Sequence, residues 1–276
     1  MPPIEPFVRW AGGKTWFTTY LQQLVAGLHI EHYHEPFLGG GAVFFSLEHT
    51  KRSYLSDANQ QLVNTYVQVR DNPQQVIDYF LQFRNTEEDY YRVRNEFSQD
   101  NTVENAARFI FLNQTSFNGI FRVSKAGVYN VPYGFRETWR YDVDRILQAS
   151  NKLKNTRIVS GDFEVNKYRI KAHDLVFLDP PYTVSHNNNG FIEYNQKLFS
   201  LEDQYRLSRY IDYIKHKDAY YILTNAAHEV IAEIFEKGDR RIELGRQSTI
   251  GGRNATRQRI QEYIFTNIPG GEANNE

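Results

Sequence analysis

Apolar residues along this chain fall into short continuous runs in some stretches and into helix-spaced positions in others. Leu175-Val176-Phe177-Leu178 is a four-residue apolar run closed by Asp179-Pro180-Pro181. Such a run predicts a strand buried on both faces, as in a parallel sheet. Further strands are expected over 32–36, 53–56, 157–159, 220–223 and 262–266. Leu201, Tyr205, Leu207, Ile211 and Ile214 recur at helical spacing, which predicts an amphipathic helix over 201–215. Other helices are expected from 16 to about 28 and over 42–48, 76–83, 89–96, 106–112, 141–153 and 229–235. Residues 116–133 follow neither period. They are rich in Gly, Asn and aromatics, and Lys125-Ala126-Gly127 predicts a hairpin turn between Phe121-Arg122-Val123 and Val128-Tyr129-Asn130-Val131.

Strand and helix alternate at the two ends of the chain, and the middle is mostly helical. The pattern predicts an α/β fold with a Rossmann-like sheet. One discontinuous α/β domain over 1–67 and 156–269 is interrupted by an inserted, mostly helical domain over 68–155 that carries the hairpin. Residues 270–276 are polar and read as a disordered tail.

Charge changes this picture. The 276 residues carry a formal net charge of −1, so any surface for a polyanion must be local. Between Asp71 and Glu104 there are three arginines against eight acids. Between Arg108 and Arg157 there are nine Lys/Arg against three acids, and between Lys237 and Arg259 seven against two. Two basic segments in a near-neutral chain suit the sides of a nucleic-acid cleft. Their arginines, among them Arg122, Arg136, Arg140, Arg253, Arg257 and Arg259, suit phosphate and base-edge contacts. Aromatic residues make up 15 % of the chain, which fits base stacking and core filling alike. The absence of cysteine excludes disulfides and thiolate metal sites. Met1-Pro2-Pro3-Ile4-Glu5-Pro6 lacks the basic start and apolar core of a signal peptide, and no apolar run reaches the roughly 20 residues of a membrane span, so an intracellular protein is expected.

Candidate chemistry gathers at strand ends. Asp179-Pro180-Pro181-Tyr182 forms a rigid lip after its strand, because proline cannot continue the ladder. In open α/β sheets ligands bind at the carboxyl ends of strands. Asp179 and a backbone carbonyl could accept N–H groups of a flat amine-bearing ring stacked on Tyr182, the arrangement needed to methylate an exocyclic amine. A plain strand followed by a capped turn would use the same residues. Glu35-Pro36-Phe37-Leu38-Gly39-Gly40-Gly41 follows another strand and precedes a helix. Glycines there allow close backbone approach to a ligand, and Asp57, about 20 residues on, stands where an acid holds ribose hydroxyls. Gly12-Gly13-Lys14-Thr15 resembles the end of a Walker loop, but Val8 stands where the first glycine is required. A cofactor with ribose and adenine but no pyrophosphate fits better, with S-adenosyl-L-methionine the foremost candidate.

Together these motifs resemble the Dam-like DNA adenine-N6 methyltransferases. Arg9-Trp10-Ala11-Gly12-Gly13-Lys14 looks like the family's cofactor motif at the start of the chain, residues 36–41 like its glycine loop, and Leu55-Ser56-Asp57-Ala58-Asn59 like its ribose-binding segment. Phe117-Asn118-Gly119-Ile120-Phe121-Arg122 and Tyr129-Asn130-Val131-Pro132-Tyr133-Gly134 look like its DNA-reading hairpin, and Asp179–Tyr182 like its catalytic tetrad. The order is that of the alpha group of amino methyltransferases. The resemblance implies that Trp10 and Lys14 close over S-adenosylmethionine, that Phe37, Gly39 and Gly41 pass its methionine part, that Asp57 holds its ribose, and that Asp179 also contacts it. Asp162 and Phe163 would flank its adenine, although Phe163 serves equally as a core ring. Arg9, Phe117, Asn118, Arg122 and Asn130 would meet double-stranded DNA; the family often has lysine where Arg9 stands. The Asn-rich stretch 186–191 reads either as a clamp on adenine or as a polar turn.

The mechanism so implied flips adenine out of the duplex onto Tyr182, with Asp179 and Pro180 accepting N6 hydrogens, and uses no metal. GATC is the family's commonest target. A monomer acting on chromosomal DNA in a bacterial cytoplasm, or encoded by a phage, is expected, with room for a cognate restriction endonuclease. An RNA amino methyltransferase and an inactive DNA-binding module are the alternatives.

Overall fold

A computed structural model of the chain describes residues 4–48, 50–98, 100–124, 128–136, 138–183, 199–247 and 259–270. The expected hairpin turn at 125–127, the Asn-rich stretch, residues 248–258 of the second basic segment and 271–276 lie outside the described residues. Seven strands are described: β1 His32–Glu35, β2 Arg52–Asp57, β3 Thr156–Ser160, β4 Leu175–Leu178, β5 Tyr220–Ala226, β6 Arg240–Gln247 and β7 Arg259–Thr266. The α-helices described are α1 Thr18–Leu24, α2 Ala42–Ser46, α3 Gln60–Asp71, α4 Pro73–Phe80, α5 Glu87–Glu96, α6 Val103–Thr115, α7 Val143–Leu153, α8 Leu201–His216 and α9 Glu229–Phe235. The expected mixed α/β, Rossmann-like class is the one found. The chain divides into two compact units, Met1–Thr19 with Leu38–Val165, and Tyr20–Phe37 with Asn166–Glu276.

In the first unit β2 and β3 pair in parallel, from Ser53 with Thr156 to Asp57 with Ser160. The chain leaves β2 through Asn59, whose side chain accepts from the N–H groups of Gln61 and Leu62 and so caps α3. This helix was not anticipated, although Leu62, Val63, Tyr66 and Val69 mark its buried face. The three glutamines and asparagines at its start masked the period. Pro73 at the first position sets the start of α4 three residues before the expected 76. Thr102 caps α6, which buries Phe109, Ile110, Phe111 and Leu112 against α3 and α4. Much of the aromatic content fills this core: Phe80 meets Trp139 and Tyr141 edge-on, and Phe111 packs against Phe83 and Trp139. The hairpin forms, but through isolated bridges at Val123–Tyr129 and Ser116–Tyr133. The Ser124 N–H donates to Val128 O at 2.7 Å and the Asn130 N–H to Arg122 O at 3.2 Å.

In the second unit the strand order is β1-β4-β5-β7-β6. The first three are parallel, with Tyr33 level with Leu175 and Leu178 level with Leu223. Strand β7 runs antiparallel between β5 and β6. All four residues of β4 are buried, as their unbroken apolar run requires. Helix α8 packs Leu207, Tyr210, Ile211 and Ile214 inward, and Ser200 with Asp203 closes its start as a capping box. Strand β6 is a second element that the sequence pattern did not yield. Arg241-Ile242-Glu243-Leu244-Gly245 alternates in burial as a strand with one covered face does, but the charges around it read as basic surface.

Asp174, at the entry to β4, ties β1 down. Its Oδ1 accepts from the His32 N–H at 3.1 Å and sits 2.9 Å from His32 Nδ1. Its Oδ2 accepts from the Lys171 N–H at 2.9 Å and lies 3.0 Å from His34 Nε2. Burial pushes the His34 imidazole below its ordinary pKa, more than Asp174 raises it. Burial also works to raise the Asp174 carboxyl, but the bonds from His34 and Lys171 outweigh it and hold that carboxyl below the usual range. The unfolded chain therefore takes up a proton at His34 before the folded one does, as pH falls below about 6.5. The Asp174 contribution is present above about pH 4 and is lost as pH falls through its lowered folded value. The urea midpoint is expected to drop between pH 7.5 and pH 5, and His34→Gln to show a shallower drop over that window. An equal slope in the variant would assign the loss to other groups.

Candidate functional site

The first unit carries the glycine loop. Leu38 N–H donates to Ser56 O at 3.0 Å, and Gly39 N–H donates to Asp57 Oδ2 at 2.9 Å. The other carboxylate oxygen of Asp57 accepts from Asn59 N–H at 2.9 Å. Burial raises the Asp57 pKa, while these two N–H donors pull against it. The loop is thus stitched to the end of β2, and the carboxylate is aimed by main-chain donors. Gly39 has φ +47° and Gly41, capping α2, has φ +68°. A Cβ on Gly39 would lie 2.6 Å from Trp10 Cδ1, so the glycine is required by the indole packed on it. Trp10 in turn stacks on Phe121, 5.9 Å away at 19°, and Phe121 stacks on Phe109. Lys14 is 4 % exposed and donates from Nζ to Gly12 O at 3.1 Å.

Gly161 N–H donates to Asp57 O at 3.1 Å, which sets the turn after β3 beside the end of β2. Asp162 in that turn is exposed, its Oδ1 accepting from Glu164 N–H, and Phe163 is buried at 4 % exposure. The unit therefore brings two carboxylates, a buried ring and a glycine loop to the ends of β2 and β3, and buries an ammonium against Gly12. Hydroxyl acceptors, an amine acceptor and an apolar face fit a nucleoside with an amino-acid tail.

Residues expected on DNA fall around one turn of the same unit. Asn113, on α6, clamps the main chain of Arg9: Arg9 N–H donates to Asn113 Oδ1 at 2.7 Å, and Asn113 Nδ2 donates to Arg9 O at 2.8 Å. Asn113 Nδ2 also reaches Gly119 O at 3.4 Å. Gly119 has φ +63°, and a Cβ there would lie 2.8 Å from Arg9 Cδ. The exposed Asn118 has φ +56°, and Phe117 is 52 % exposed. Arg9, Phe117 and Asn118 are thus grouped. Burial and then the neighbouring Arg136 lower the Arg9 pKa, a like-charge placement that an anion would relieve. Arg122 and Asn130 form a second group across the hairpin, with Arg122 Nε donating to Asn130 Oδ1 at 2.8 Å and Nη2 to Asn130 O at 3.2 Å. Arg253 and Arg257 lie outside the described residues.

The second unit holds the tetrad and Phe37, which lies edge-on to Phe199 at 5.6 Å. Asp179 is half-buried directly after β4, Pro180 is buried, and Pro181 and Tyr182 are half-buried. Thr224 Oγ1 donates to Asp179 Oδ1 at 2.7 Å. Tyr182 OH donates to Glu262 Oε2 at 2.6 Å. Thr183 Oγ1 donates to Phe199 O at 3.0 Å and accepts from Gln204 Nε2 at 2.9 Å, and Gln204 Oε1 accepts from Asn225 Nδ2 at 3.1 Å. The Tyr33 hydroxyl donates to Glu35 Oε2 at 2.9 Å, and its pKa is driven far up by burial, by Glu35 and by Asp179. The lip is therefore an acceptor and a ring, each tied from behind. Sequence reasoning missed Thr224, Glu262 and Asn113. Their only signal is a polar residue on the buried side of an apolar strand or helix. Among the described residues no group of three or more His, Asp or Glu is placed to hold a metal, and no helix is long and apolar enough to cross a membrane.

The family model for D12 class N6 adenine-specific DNA methyltransferases matches residues 10–250. The chain is 34% identical over 275 residues to the type II methyltransferase M1.LlaDCHI of Lactococcus lactis subsp. cremoris, covering 96% of this chain and 95% of that protein. It is 34% identical over 245 residues to the type II methyltransferase M.MjaIII of Methanocaldococcus jannaschii, covering 81% and 84%. To a DNA adenine methylase of Vibrio cholerae serotype O1 it is 27% identical over 213 residues, covering 75% and 76%.

Gly39→Ala tests the loop packing. The positive φ and the collision with Trp10 together are expected to cost about 1–3 kcal/mol in urea unfolding. Adding Trp10→Ala should recover only the part due to the collision. A Gly39→Ala chain as stable as the parent would show that the indole is not fixed on the loop.

Proposed function

Given that the chain belongs to the D12 class N6 adenine-specific DNA methyltransferase family, we propose that its two units divide that reaction, the first holding S-adenosylmethionine and reading DNA, the second receiving the adenine. The chain is an enzyme that methylates adenine N6 in DNA. The observation that carries the division of roles is the fixed carboxylate of Asp179, set by Thr224 at the end of a fully buried strand and followed by a proline lip and an anchored tyrosine.

Asp57, aimed by Gly39 and Asn59, accepts the ribose hydroxyls of the methyl donor. Asp162 and Phe163 bind its adenine, while Trp10, Lys14, Gly39 and Gly41 line its amino-acid part. When bound, S-adenosylmethionine supplies an electrophilic methyl group on a positively charged sulfur. Arg9, Phe117 and Asn118 meet the recognition sequence at one turn, and Arg122, oriented by Asn130, meets it at the hairpin. The target is GATC or a related site, and the region 68–155 serves as the recognition domain of a monomer. Relatives named as type II methyltransferases support a role beside a restriction endonuclease.

Adenine N6 is a poor nucleophile because its lone pair is shared with the ring. Extruding the base costs a few kcal/mol, and stacking on Tyr182 returns about 1–3 kcal/mol. Asp179 and the Pro180 carbonyl accept the two N6 hydrogens, which draws the lone pair onto nitrogen and aims it out of the ring. The Asp179 carboxylate then accepts the proton that N6 gives up as the new N–C bond forms. Orientation and preorganised electrostatics are the main catalytic terms.

Asp179→Ala is expected to lower methyl incorporation into duplex DNA about 10²–10³-fold or more, with duplex affinity retained. Turnover like the parent's would reject the assignment. Arg122→Ala should weaken duplex binding and reduce the slope of log affinity against log salt by about 1; an unchanged slope would remove Arg122 from the phosphate contacts. Sequencing methylated adenines in DNA from cells that express the chain reads the target site directly.

A further inference from the structure

Glu262 is 0 % exposed, in a strand whose buried neighbours Ile264 and Phe265 are apolar. A carboxylate in such a place costs several kcal/mol unless it is hydrogen-bonded. Its partner is the catalytic tyrosine: Tyr182 OH donates to Glu262 Oε2 at 2.6 Å, the short distance of a charge-assisted bond. Strand β7 is paired on both sides, with Glu262 level with Ala226 of β5 and Leu244 of β6, so the acceptor is on a rigid element. Thr224, two residues before Ala226 on β5, holds Asp179. One strand pair thus supports both working groups of the tetrad.

We infer that Glu262 is a positioning residue for the methyl acceptor: its carboxylate fixes the plane of the Tyr182 ring on which the flipped adenine stacks. The bond holds the ring at its far end, through the hydroxyl. It also sets an acceptor oxygen against the phenol O–H, and polarising that bond toward the acceptor enriches the ring's electrons. An electron-rich face suits a purine that gains positive charge as N6 takes the methyl group. The inference rests on the assignment of Tyr182 as the stacking ring in the proposed function.

The test compares Glu262→Ala, Glu262→Gln, Tyr182→Phe and the Tyr182→Phe/Glu262→Ala double variant in the full chain. Three readouts are taken: kcat and KM on duplex DNA, affinity for S-adenosylmethionine, and fluorescence of 2-aminopurine placed at the target adenine. Glu262→Ala is expected to lower kcat about a hundredfold, as a misplaced reacting group does, with donor affinity kept. The flipped 2-aminopurine, no longer held flat on the ring, should fluoresce more strongly than in the parent. Glu262→Gln keeps an acceptor and should recover most of that loss. Tyr182→Phe keeps the ring and removes the hydroxyl, so it should reproduce the loss, and the double variant should add nothing to it.

Losses that multiply in the double variant would overturn the inference, as would a Tyr182→Phe variant that keeps the parent kcat. If Glu262→Ala misfolds, the Tyr182→Phe and Glu262→Gln arms still decide. Parent-like turnover of Asp179→Ala would instead remove the underlying function. An inactive Asp179→Ala beside a fully active Tyr182→Phe would remove only the role of Glu262.

Discussion

The hydrogen bond from Thr224 to Asp179 is the point on which the lip after β4 depends. A carboxylate at the end of a buried strand has to keep its charge and its direction at once. Burial alone works against the charge, and a free side chain has no fixed direction. The parallel register of β4 and β5 answers both needs. Leu178 is level with Leu223, so the next residue on each strand, Asp179 and Thr224, are neighbours by construction. A hydroxyl donor favours the ionised acid and holds one oxygen in place. The prolines that follow then fix where the backbone carbonyl and the tyrosine go, because the chain has few other conformations there.

Legibility in the sequence followed how locally each feature is determined. Strand β4 and helix α9 were read to the residue, because an apolar run and an amphipathic turn are signals of single elements. Motifs gave the family from residues that sit at strand ends, where spacing along the chain maps onto space. Strand β6 and helix α3 were missed because charges and amides hid their periods. Glu262 and Asn113 were out of reach for a different reason. Each is a single polar residue whose meaning lies in a partner about a hundred positions away, Glu262 with Tyr182 and Asn113 with Arg9. No pattern within either segment announces that pairing.

The first unit's loop rests on shape where the second unit's lip rests on hydrogen bonds. Gly39 and Gly119 both have positive φ, and both leave room for a neighbouring side chain, Trp10 and Arg9 respectively. These two neighbours are adjacent in sequence. A single short segment is therefore gripped on one side by the glycine loop and on the other by the turn that carries Phe117 and Asn118. Trp10 continues through Phe121 into the core of α6, so the segment has little freedom to move alone. The glycine loop and the turn at 117–119 are mechanically continuous through Arg9 and Trp10.

Strand β7 follows β6 in the chain yet lies between β6 and β5 in the sheet. During synthesis, β6 emerges with no strand to pair with, since its only neighbour has not yet been made. The edge of β5 stays open for the same interval. A ribosome-bound chain can thus complete its glycine loop and its first parallel pair while β5 still lacks its antiparallel partner. Translation order alone keeps a growing chain from closing this sheet until β7 arrives, and makes that moment the one most exposed to mispairing with another chain.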